Sequence, residues 1–138
     1  MAATLRKLSD GASSALCVFT NPDNTAETNA VKIDLNSGGT GLTLLPNQLG
    51  KACTRVGIEK IWYSNVGMGV ELFWDATTNV PLLNLLENWS DQLDFTPTGI
   101  PNSGGAGKTG DILVTTSNAG ANDTYLLILT LTKTYASV

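Results

Sequence analysis

The stretch from Thr124 to Lys133 limits what this chain can fold into more than any other. Tyr125, Leu127, Leu129 and Leu131 recur at every second residue, which puts them on one face of a β-strand. Thr124, Leu126, Ile128, Thr130 and Thr132 take the other face, a mixture of aliphatic and hydroxyl side chains. Apolar character on both faces in the first half predicts a central strand.

Other segments speak the same language. Val31-Lys32-Ile33-Asp34-Leu35 alternates cleanly, with Val31, Ile33 and Leu35 predicted inward. Leu42, Leu44 and Leu45 suggest a short strand before the turn-like Pro46-Asn47-Gln48-Leu49-Gly50. From Cys53 to Tyr63 the apolar phase shifts between Ile58 and Ile61, as a β-bulge would require. Ser64 to Gly67 is predicted to turn the chain into a second strand, Val70 to Asp75, so that the two form a hairpin. In that strand Val70, Leu72 and Trp74 share one face, and Glu71, Phe73 and Asp75 the other. Val80 to Leu86 reads as a further strand, with Pro81 keeping its start away from a central position. Asp111 to Thr116 adds another before the last.

Composition agrees. Charged residues make up 14% of the 138, against about 25% in ordinary domains. Thr (18), Asn (12), Ser (9) and Gly (14) fill the difference, a poor mixture for helices and a good one for strands joined by tight turns. The expectation is an all-β fold: an antiparallel β-sandwich or jelly-roll-like barrel of six to eight strands. It occupies residues 31–138 as a single domain, with residues 1–30 as an extended N-terminal arm or edge segment. Leu16-Cys17-Val18-Phe19 would be a short strand or anchoring patch in that arm. Thr96 to Gly110, with Pro97, Pro101 and five glycines, is a long loop of the kind that usually makes contacts.

Several functions are excluded by what is missing. The chain has no histidine, which removes His-based triads and the commonest zinc ligand. A net charge of −4 with scattered Lys and Arg argues against direct nucleic-acid binding. No 18-residue apolar run predicts a membrane span, and the N-terminus lacks the apolar core of a secretory signal. Cys17 and Cys53 could close a disulfide worth roughly 4 kcal/mol, but their apolar settings better suit two free, buried thiols.

The remaining motifs are weak. Gly104-Gly105-Ala106-Gly107-Lys108-Thr109 ends like a phosphate-binding loop, yet Asn102 stands where the first glycine belongs and a β-pattern follows instead of a helix. Glu71 and Asp75 are about 13 Å apart along a strand, too far for paired-carboxylate hydrolysis. Asp91 and Asp94 beside Trp89 and Phe95 make a better sugar-like setting, but they give no calcium-loop spacing. No catalytic residue, metal site or cofactor is expected, and the protein is not expected to be an enzyme.

Val70-Glu71-Leu72-Phe73-Trp74-Asp75-Ala76-Thr77-Thr78-Asn79 resembles a phrase in small structural proteins of tailed bacteriophages. Gly107 to Thr116 and Asp123 to Leu129 are similar to phrases of the same proteins, so the resemblance spans residues 55–133. It implies a capsid decoration or cement protein, made in the host cytoplasm and carried on the capsid surface of the virion. Such proteins bridge capsomers of the major capsid protein, often as homo-oligomers and commonly trimers. The protein-contact segments expected here are Leu16, Val18 and Phe19, then Trp89, then Pro97, Ile100 and Pro101. The alternatives are a carbohydrate-binding β-sandwich module, using Trp89 and the Thr96–Gly110 loop, or a phage tail or neck component.

Overall fold

The computed structural model describes residues 4–22, 25–35, 41–96, 99–103 and 106–135. Among these residues nine strands form: β1 (Thr4–Asp10), β2 (Ser14–Asn21), β3 (Ala30–Ile33), β4 (Cys53–Val66), β5 (Gly69–Trp74), β6 (Val80–Leu85), β7 (Trp89–Asp94), β8 (Ile112–Ser117) and β9 (Thr124–Tyr135). They make two sheets, ordered β1-β2-β9-β4-β7 and β3-β8-β5-β6. Every pairing between these strands is antiparallel. The fold is an open β-sandwich, with no closed barrel and more strands than the six to eight expected.

β9 is the spine of the larger sheet, flanked by β2 and β4. Tyr125, Leu127, Leu129 and Leu131 are buried against the second sheet. Across the sandwich Val70, Leu72 and Trp74 of β5 and Ile112 and Val114 of β8 face them, joined by Phe19, Ile58 and Ile61. Each such aliphatic or aromatic side chain contributes about 1.5–3 kcal/mol relative to exposure, so this one cluster accounts for the cohesion of the two layers.

The bulge in β4 lies where the phase shift predicted it: the register against β9 slips between Ile58 and Lys60. The alternation in β5 also holds, with Val70, Leu72 and Trp74 buried and Glu71 and Phe73 half-buried. β6 is an edge strand, as Pro81 near its start demands.

Four expectations change. β4 and β5 do not form a hairpin. β4 runs on to Val66, and the chain then crosses to the other sheet through Gly67, whose φ of 81° is the left-handed region. A Cβ at Gly67 would stand 1.8 Å from Asp123 Oδ1, and its N–H donates to Asn88 Oδ1 at 2.8 Å, so the crossing is locked from both sides. Residues 4–21 form a two-stranded hairpin within the larger sheet, β1 at its edge and β2 inside it, with Phe19 and Cys17 in the core. In β3, Ile33 is buried as predicted, but Val31 is only half-buried while Lys32 is buried, as is Asp34 just beyond the strand. The Leu42 segment makes a single bridge to Ile33 instead of a strand.

Candidate functional site

The two sheet faces that meet make the core; among the described residues the outer face of the five-stranded sheet is left uncovered by other strands. Directly opposed residues share a face, so the pairing registers place Arg6, Val18, Ile128, Trp62 and Gln92 in one row across that face. The next row holds Thr4, Thr20, Leu126, Ser64 and Ser90. The row on the other side holds Ser9, Leu16, Thr130, Lys60 and Asp94. Leu16, Val18, Ile128, Leu126 and Trp62 therefore form a continuous apolar band over the three central strands. Trp62 is 40% exposed, and Val66, at the end of the same strand face, is 51% exposed. The flanks are mostly hydroxyl side chains; Ser90 Oγ donates to Ser64 Oγ at 3.0 Å, and the Thr4 and Thr20 hydroxyls meet. An apolar band edged mostly by hydroxyl groups, with Arg6, Lys60 and Asp94 at its margins, is the composition of a protein-contact patch.

The sequence-predicted contact residues divide on this geometry. Leu16 and Val18 lie in the band, half-buried on β2. Phe19 is 0% exposed and belongs to the core, because it alternates to the opposite face. Trp89 opens β7 and is 55% exposed, but it faces the inner side, opposite Asn65. Ile100 is half-buried and exchanges backbone hydrogen bonds with Ile58 at 2.7 and 3.0 Å, so it seals the β4 bulge. Pro101 is exposed beside it, and Pro97 lies outside the described residues. Trp62, Leu126 and Ile128 complete the band. The signal for Leu126 and Ile128 lies in the mixed outer face of β9, but only the strand order shows that Trp62 of β4 stands next to Ile128.

The polar groups of the sandwich are tied into structure. At one end Lys133, its side chain 0% exposed, donates to Asp10 Oδ1 at 2.5 Å and to the carbonyls of Gly11 and Leu45 at 3.0 and 2.9 Å. Burial alone would raise the Asp10 carboxyl; the bonds from Lys133, the Leu45 N–H and Lys7 outweigh it and hold the group below its ordinary value. At another position Glu27 accepts from Lys32 and, at 2.5 Å, from the Tyr125 hydroxyl. Burial, and then that bond, push the Tyr125 phenol far up. Asp111 accepts from the Leu35 N–H at 2.7 Å, yet burial and the neighbouring Asp34 and Asp75 raise its carboxyl.

Cys17 and Cys53 are both free and buried, and burial pushes the Cys17 thiol up to about 11, away from the reactive thiolate. Asp91 and Asp94 are on opposite faces of β7, one opposed to Tyr63 and the other to Lys60, so they do not act on one substrate. Trp89 and Asp94 stand at the two ends of β7, about 17 Å apart along the strand. Lys108 is exposed, and Thr109 donates to Asp75 Oδ2 at 2.7 Å, stitching the glycine-rich segment to the end of β5. Among the described residues no group of three or more Cys, Asp or Glu side chains is placed to hold a metal ion.

No family model and no curated protein matches the chain. Among solved structures it is similar to a cupin-superfamily protein from Desulfitobacterium hafniense. The identity is 9%, over 92% of this chain and 75% of that one, with a TM-score of 0.32. A likeness that slight carries no argument about function.

Proposed function

We propose that this chain is a virion structural protein, a bacteriophage capsid decoration or cement protein that binds the major capsid protein and bridges neighbouring capsomers. The observation that carries the reading is the open apolar band of Val18, Ile128 and Trp62 on the larger sheet. A partner that covers it gains the burial of several half-exposed aliphatic and aromatic groups with few charges to desolvate. The strand phrases that resemble phage structural proteins lie in β5, β8 and β9, the strands that build the core. Of these only β9 carries part of the band, Leu126 and Ile128; its other members stand on β2 and β4 of the same sheet.

The test uses assembled particles. Trp62→Ala and Val18→Thr leave the core intact, so each variant should melt within a few degrees of the parent and yet be lost from purified capsids. Capsids without the protein should fail at lower temperature than decorated ones. Full retention of both variants on capsids would sink the proposal.

A further inference from the structure

A sandwich of open sheets has four edge strands, and each needs a guard against pairing with another chain. β3 is four residues long and is bridged by Leu42. β6 carries Pro81 and a register shift. The two edges of the larger sheet differ in charge, and β1 also carries a register shift between Lys7 and Ser9. β1 carries Arg6 and Lys7, whereas β7 carries Asp91 and Asp94; its register against β4 is unbroken. The acidic residue of β1, Asp10, pairs with both Lys133 and Lys7, at 3.0 Å from the latter, which leaves the exposed Arg6 as the charge that edge offers.

Charges of one sign refuse their own kind and admit the other. A β7–β7 contact crowds four carboxylates, and a β1–β1 contact crowds the basic side chains. A β1–β7 contact pairs opposite charges. We infer that copies of this chain join in series, β1 of one beside β7 of the next, to extend the five-stranded sheet from molecule to molecule.

The topology sets the geometry. Four antiparallel steps separate β1 from β7, so both run the same way and the new pair is parallel. Parallel pairs are slightly weaker per residue, so the charges have to select this one. The register that keeps the outer-face rows aligned from copy to copy puts Arg6 of one copy beside Gln92 of the next, with Asp94 diagonal to it and within an arginine's reach. The contact is heterologous: it uses two different patches, and it produces a ring where the rotation closes. This inference deepens the oligomeric side of the proposed function by naming the edges that meet.

The experiment is light scattering on the free protein over a range of concentration. The parent should exceed monomer mass, and high salt should lower that mass. Arg6→Glu and Gln92→Lys should each weaken association by up to about tenfold. Arg6→Glu/Gln92→Lys should restore it, which a merely structural defect would not do. A parent that stays monomeric at every concentration overturns the inference, as does an oligomer indifferent to both substitutions. Capsids do not enter this measurement. Its failure therefore leaves the capsid reading standing, and loss of that reading leaves the edge contact standing.

Discussion

Lys133 shows what one residue's surroundings can reverse. In sequence it is a charge near the end of an alternating strand, the usual place for a solvated lysine. In the fold it continues the inward row of Leu129 and Leu131, and it is kept there by Asp10 and two carbonyls. A buried pair that loses one partner leaves a charge without compensation, at a cost of roughly 3–5 kcal/mol. Asp10→Ala should therefore lower the unfolding free energy by about 3 kcal/mol, and Asp10→Ala/Lys133→Met should recover most of it; denaturant titration measures both. The pH dependence follows from the depressed carboxyl. The folded chain binds this proton less readily than the unfolded one, so the contribution is present above the ordinary value of 3.8 and is lost as pH falls through the lower folded value. The Asp10→Ala variant should show a shallower loss of stability in that acid window. None of this was legible at residue 133, because the partner is supplied from the other end of the chain.

Elements were more legible than their partners. The β4 bulge, the buried face of β5 and the central place of β9 all follow from local alternation, which reports how a strand divides its side chains between two faces. Alternation does not report which strand lies alongside. β4 and β5 look like a hairpin because they are consecutive and both apolar, yet each completes a different sheet. Gly67 decides the matter through a positive φ and a space that Asp123 already fills. Gly67→Ala should cost about 2 kcal/mol or more, from backbone strain plus displacement of Asp123. Thermal unfolding would detect it, and an unchanged midpoint would mean that the crossing does not depend on this residue. β7 escaped prediction for a related reason: Trp89 to Asp94 is an exposed edge with no apolar alternation to mark it.

At the scale of the whole molecule the N-terminal hairpin is the telling case. The first 30 residues were expected to behave as an arm or edge, and β1 does lie at an edge. β2 lies between β1 and β9 and gives Ala15, Cys17 and Phe19 to the common core. Deleting residues 1–22 should therefore abolish cooperative unfolding instead of leaving a stable remainder, because it uncovers one side of β9 and opens the core. A truncated protein that keeps a sharp thermal transition would show that the hairpin is dispensable. The candidate contact band has the same origin. Leu16 and Val18 could be chosen from sequence as apolar residues near a terminus, but Phe19 could not be separated from them by composition. Trp62 and Ile128 became their neighbours only through the order β2-β9-β4. By itself the sequence determined the class of fold, the inward faces of the main strands and the absence of histidine chemistry, because these depend on residue type and a period of two. Strand order, the burial of Lys133 and Lys32, and the grouping of a contact face were decided by the tertiary structure. They depend on pairings between segments far apart in the chain, and local pattern carries no record of those.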